Sequence, residues 1–226
     1  MKNMLEPEEP RNIWDPASTD HQAGCGAEGT PHPNMMNLPR AYTKRFKAEK
    51  SQLIMVGDSI TQYFVSPAWD RMKVLNAGNA GVEGDTTNGA LWRMDRTELE
   101  KINPPWFVVL IGTNNLPGDT VEHTVEGVKE LTQSLRKRCP KSNILVLGLL
   151  PRSGFGKKVR ETNEQLGKLA DGKSIFYSDL GDVFLKPDGN IDFKRLPDGL
   201  HPSQAGYEAF SDDFIPVFQN LKMMKK

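Results

Sequence analysis

Ser59 closes the run Leu53-Ile54-Met55-Val56-Gly57-Asp58, an apolar stretch stopped by a glycine, and His201 lies far downstream in Leu196-Pro197-Asp198-Gly199-Leu200-His201-Pro202. A serine hydroxyl is a weak nucleophile at neutral pH unless a neutral imidazole takes its proton and a carboxylate holds that imidazole in the right tautomer. Asp198, three residues ahead of His201 with a glycine between them, can fold back onto one ring nitrogen and leave the other for Ser59. Acyl transfer also builds negative charge on a carbonyl oxygen, and donors aimed at that oxygen are often the largest catalytic contribution. The candidates are the backbone N–H of Ser59, the backbone N–H of Gly84 and the side-chain amide of Asn114. Each residue alone has a plainer role: Asp58 or Ser59 as a helix cap, Asp198-Gly199 as a turn, Asn114 as a loop residue that satisfies its own backbone. Their joint presence in one chain favours the chemical role. His21 and His32 fall in an irregular N-terminal stretch and His123 at the start of an amphipathic helix, and all three read as solvated.

The elements that must position these side chains follow from apolar periodicity. Leu53 to Val56, Trp106 to Ile111 and Ile144 to Leu150 are short continuous apolar runs, the pattern of strands covered on both faces. Lys73 to Asn76 and Ser174 to Ser178 read as two further short strands, the first followed by the Gly-rich run Ala77 to Gly84, whose glycines let a backbone approach something closely. Between them, Val121, Val125, Val128, Leu131 and Leu135 recur at helical spacing, with Lys and Arg in the last turn. Arg40 to Lys50, the segment after Asp85-Thr86-Thr87, Gly156 to Asp171 and Ser203 to Leu221 are the other expected helices, the last with a break near Pro216. Strands alternating with helices imply right-handed crossovers, hence an α/β fold with a three-layer α/β/α sandwich and a parallel sheet. Ligands bind beyond the carboxyl ends of such strands, where Ser59, Gly84 and Asn114 are all expected.

At 226 residues the chain can bury one substantial core. Residues 1–39, rich in Gly and Pro between Gly24 and Pro39, read as an irregular N-terminal arm, and 40–226 as one folded domain. Lys+Arg and Asp+Glu are equal at 29 each, so no net field points to nucleic acid or an anionic membrane surface. No run of apolar residues is long enough for a transmembrane segment, and the chain as written is expected to be soluble, cytoplasmic or exported with its signal already removed. Cys25 and Cys139 form no metal-binding pattern, and whether they are bridged is open.

Gly-Asp-Ser, then Gly before Asp-Thr-Thr, then Gly-Thr-Asn, then Asp-x-x-His, in that order, resembles the SGNH (GDSL) hydrolase family. Leu91-Trp92-Arg93 and Leu147-Gly148-Leu149-Leu150-Pro151-Arg152 further resemble its platelet-activating factor acetylhydrolase catalytic-subunit branch. The resemblance covers roughly residues 52 to 217. It implies a flavodoxin-like sheet, Ser59 as nucleophile, His201 as base, Asp198 as its orienter, and Ser59, Gly84 and Asn114 as oxyanion donors. Gly78 or Gly81 could compete with Gly84, because the run before the second block looks longer than the family's. The implied reaction is hydrolysis of a short-chain, acetyl-type ester through an acyl-serine, with no cofactor and no metal. A carbohydrate acetylester, a lysophospholipid or a thioester are alternative substrates; Trp69 or Trp92 would then supply a sugar platform. The resemblance permits a homodimer.

Overall fold

Strand β1 (Leu53–Gly57) is buried at every position because its side chains serve two cores at once. Ile54 and Val56 enter one core, while Leu53 and Met55 enter the other. The computed structural model describes residues 36–225, so all but the last four residues of the N-terminal arm, and Cys25, His21 and His32 with them, lie outside the described residues. Helix α1 (Leu38–Glu49) leads into β1 through Lys50, and α2 (Ser59–Gln62) follows it. In order come β2 (Ala77–Gly81), α3 (Thr87–Arg96), α4 (Leu99–Ile102), β3 (Trp106–Leu110), α5 (Val121–Arg138), β4 (Asn143–Leu147), α6 (Gly156–Gly167), β5 (Ile175–Ser178) and α7 (Gln204–Met224).

The five strands pair in parallel in the order β2-β1-β3-β4-β5. This is the flavodoxin-like order, and chain direction across the sheet reverses at β1, which places a crevice at its carboxyl end. Helices α1, α3, α5 and α6 cover one face, with Phe46, Met94, Leu131 and Leu166 in its core. The opposite face carries α7 and a 3-10 segment, Ala68–Leu75, through Met72, Phe210, Phe214 and Phe218. The alternation seen in β1 repeats in β3, where Phe107 and Val109 go one way and Trp106, Val108 and Leu110 the other. Helix α5 shows the expected stripe, its start capped by the Thr120 hydroxyl, which accepts from the His123 N–H, and its end basic at Arg136, Lys137 and Arg138.

Several boundaries differ from the sequence reading. Lys73 to Asn76 is no strand; it finishes the 3-10 segment, and Asn76 turns at φ 50 into β2, so the strand lies in the Gly-rich run that follows. Strand β2 is poor in β-branched residues because there is no room for them. A Cβ on Gly81 would lie 2.2 Å from the Gln62 backbone nitrogen, and one on Gly78 would lie 2.6 Å from the Phe46 ring. Strand β4 stops at Leu147 and α6 at Gly167, shorter than their apolar patterns suggested. Helix α7 runs unbroken through Pro216. That proline is exposed, so water can satisfy the Asp212 carbonyl that the ring deprives of a donor.

Candidate active site

Ser59 is the first residue of α2, directly beyond β1 at the switch point. Asp58 caps that helix, its Oδ1 accepting from the Ile60 N–H at 2.9 Å. This turn leaves the Ser59 hydroxyl at the sheet edge, 3.0 Å from Nε2 of His201. Nδ1 of His201 lies 2.7 Å from Oδ2 of Asp198, while Oδ1 of the same carboxylate accepts the backbone N–H groups of His201 at 2.7 Å and Leu200 at 2.9 Å. Partial burial works against the Asp198 charge. The hydrogen bonds from the His201 ring and from the two backbone N–H groups outweigh it and hold the carboxyl at about 2. A carboxylate that stays ionised favours the Nδ1–H tautomer and turns the lone pair of Nε2 to Ser59.

The loop that brings His201 in is tied at both ends. The Ser153 N–H donates to the Gly199 carbonyl at 2.8 Å, and the Ser203 N–H to that of Arg195 at 2.8 Å. Ser203 then caps α7, accepting from Gly206.

Gly84 stands beyond β2 with φ 69, a left-handed conformation suited to glycine, in a turn closed by the Asp85 N–H on the Val82 carbonyl. The rival glycines fall inside β2, and the Gly81 N–H is taken by Oδ1 of Asn79 at 2.9 Å. Asn114 donates through Nδ2 to the Asp85 carbonyl at 2.9 Å. That bond fixes the plane of its amide and joins the loop after β3 to the loop after β2; a primary amide carries a second N–H for another acceptor. Asn115 strengthens the same junction, accepting from the Thr87 N–H and donating to the Thr87 hydroxyl and to Asp119. Ser59 at the start of α2, and Gly84, Asn114, Asp198 and His201 on loops, therefore gather around the carboxyl end of β1.

Beneath them lies an ionic layer that the motif reading missed. Arg93 and Asp85 are fully buried and paired, Nε and Nη2 reaching Oδ2 at 2.8 and 2.6 Å. The guanidinium also donates to the carbonyls of Ala80 at 3.0 Å and Gly57 at 3.3 Å, so one side chain clamps the ends of β2 and β1. A signal was present: helical spacing puts Arg93 on the same face of α3 as Ala90 and Met94, and an arginine on a core face needs a buried partner. Asp58 is buried next to this pair. Desolvation, assisted by the charge of Asp85, lifts its carboxyl to about 7 against the opposing Ile60 N–H and Arg152. The two tryptophans considered as a platform are placed elsewhere: Trp69 packs edge-on against Phe64, and Trp92 lies under the Arg96 guanidinium on α3. Cys139 is buried. Among the described residues, no helix is long and apolar enough to cross a membrane.

A parallel sheet with a hydroxyl, an imidazole and a carboxylate in line at its switch point is an arrangement suited to acyl transfer, and comparison with known proteins gives the family. The model of the GDSL-like Lipase/Acylhydrolase family matches residues 55–209. The chain is 34% identical over 179 residues to the human platelet-activating factor acetylhydrolase IB subunit alpha1, covering 76% of this chain and 77% of that protein. It is 33% identical over 168 residues to the rat alpha2 subunit, covering 71% and 73%. Among solved structures, a GDSL-like lipase from Bacteroides thetaiotaomicron superposes with a TM-score of 0.68 at 17% identity, over 82% of this chain and 98% of that one. The chain belongs to the GDSL-like lipase/acylhydrolase family, the SGNH hydrolases, and is related to the platelet-activating factor acetylhydrolase branch.

Proposed function

We propose that this ester hydrolase works through Ser59 and transfers a short acyl group, acetyl above all, by way of an acyl-serine. The observation that carries the reading is the line from Ser59 Oγ to His201 Nε2 at 3.0 Å and from His201 Nδ1 to Asp198 Oδ2 at 2.7 Å. As Ser59 attacks the ester carbonyl, its proton passes to Nε2, and Asp198 stabilises the imidazolium. The carbonyl oxygen gathers the negative charge, with the N–H groups of Ser59 and Gly84 and the amide of Asn114 as its donors. His201 then protonates the departing alcohol, leaving the acyl group on Ser59. Water, deprotonated by His201, attacks that acyl-serine; the tetrahedral intermediate collapses to the carboxylic acid, and the proton returns to Ser59.

The support for a short acyl group is that the curated relatives are named acetylhydrolases. Hydrolysis of p-nitrophenyl acetate, butyrate and octanoate tests the reading, with kcat/KM expected to fall along the series. Octanoate hydrolysed as well as acetate would overturn the acyl preference.

A further inference from the structure

By strand order β2 and β4 stand on opposite sides of β1, so the loops that follow them form two walls flanking Ser59. The walls differ in charge. Beyond β2 comes Glu83, the residue before Gly84; its N–H donates to Oε1 of Gln62, and its carboxylate accepts a hydrogen bond from the Tyr63 hydroxyl. Beyond β4 comes Arg152, whose guanidinium donates to the Thr113 carbonyl and stacks on Phe155. Burial first, and then the hydrogen bond and negative charge of Glu83, push the Tyr63 phenol up, so its hydroxyl keeps its proton and remains a donor throughout the neutral range.

Acyl transfer assigns different work to the two walls. The leaving oxygen must meet Nε2 of His201 to receive its proton, so the alcohol half of the substrate lies along the His201 side of the site. The ring adjoining His201 there is Tyr63, with centroids 5.6 Å apart and planes tilted by 57°. An aromatic ring joined to a carboxylate is the chemistry that attracts a cation, the ring through its quadrupole and the carboxylate through its charge. Arg152 follows β4, on the other side of β1 from Glu83 in strand order, and its guanidinium is committed to the Thr113 carbonyl and the Phe155 ring.

We propose that Tyr63 and Glu83 form a subsite for a positively charged alcohol half, an amino or quaternary ammonium alcohol with about two or three carbons between oxygen and nitrogen. This assignment rests on Ser59 and His201 carrying the ester chemistry. The spacer follows from distance: a cation within about 6 Å of the Tyr63 centroid is only a short chain away from an oxygen hydrogen-bonded to His201.

The test compares two acetates of equal shape, acetylcholine and its carbon isostere with a tert-butyl group in place of the trimethylammonium. In the wild type, kcat/KM should favour the cationic ester by roughly tenfold. The ratio, taken within each variant so that any change in overall rate cancels, should fall toward one in Glu83→Gln and decline in Tyr63→Leu. A second arm needs no variant: tetramethylammonium should compete with p-nitrophenyl acetate, and the uncharged neopentane-type alcohol of the isostere should compete less well. A wild-type ratio near one, or a ratio that Glu83→Gln leaves in place, overturns the cation subsite. If Ser59 reacts with a fluorophosphonate and both esters turn over equally, only this inference falls. If neither ester is hydrolysed and Ser59 is not labelled, the serine reading fails and takes the subsite with it.

Discussion

The two halves of the site are built differently. Ser59, Gly84 and Asn114 grow directly from strand ends over a buried ionic layer, in which Arg93 and Asp85 have no exposed surface and Asp58 and Ser59 are nearly as buried. Asp198 and His201 come from a long loop beyond β5, with side chains 56% and 32% exposed, held by a few backbone hydrogen bonds and a helix cap. The nucleophile half is thus fixed by the core, whereas the acid–base half is fixed by local hydrogen bonds. Disturbing the first should cost stability and geometry together; disturbing the second should cost much less stability.

The largest effect on stability is expected from Arg93→Ala, which strands the Asp85 carboxylate and releases the carbonyls of Gly57 and Ala80. Removing one partner of a buried pair costs about 3–5 kcal/mol. Chemical denaturation measures it, and a loss below about 1 kcal/mol would mean that the pair behaves as a surface one. Next is Asn114→Ala, expected to lower turnover by about a hundredfold, as loss of one oxyanion donor does. Steady-state kinetics on p-nitrophenyl acetate reads it, and an unchanged kcat would confine Asn114 to bridging its loop to Asp85.

Asp58 gives a pH dependence of determined sign. Its carboxyl titrates at about 7 in the fold against about 3.9 when unfolded. Between those values the native state binds more protons than the unfolded state, so stability falls as pH rises from about 4 to about 7 and then levels off. Urea midpoints of the wild type and Asp58→Asn, compared at about pH 5 and about pH 8, should diverge by on the order of 2 kcal/mol. Parallel curves would show that Asp58 is ionised throughout. The smallest effect belongs to the exposed half: Ser203→Ala removes the α7 cap beside His201 and should cost about 1 kcal/mol. A larger loss would show that the His201 loop is a structural part of the core.

The same contrast explains what the sequence revealed. The five candidate residues were legible because each sits in a short block beside a strand end or a helix start, where turn chemistry and reaction chemistry require the same few residue types. The parallel sheet was legible from the apolar runs of β1, β3 and β4. Strand β2 was not, since its glycines answer to the close approach of α2 and Phe46, a tertiary constraint that overrides β-propensity. The Arg93–Asp85 clamp and the Tyr63–Glu83 pair were hidden for a related reason. Tyr63 and Glu83 lie on separate elements and meet only when the β2 loop folds over the end of α2, at Glu83 and Gln62.

The most direct test of the account is the fate of Ser59. Wild type and Ser59→Ala should be compared for p-nitrophenyl acetate hydrolysis and for covalent labelling by a fluorophosphonate, with the labelled peptide located by mass spectrometry. The account predicts that the label sits on Ser59, and that the variant, still folded, loses both labelling and turnover. Labelling that persists in Ser59→Ala, or a wild type that hydrolyses acetate esters while Ser59 stays unmodified, would contradict it.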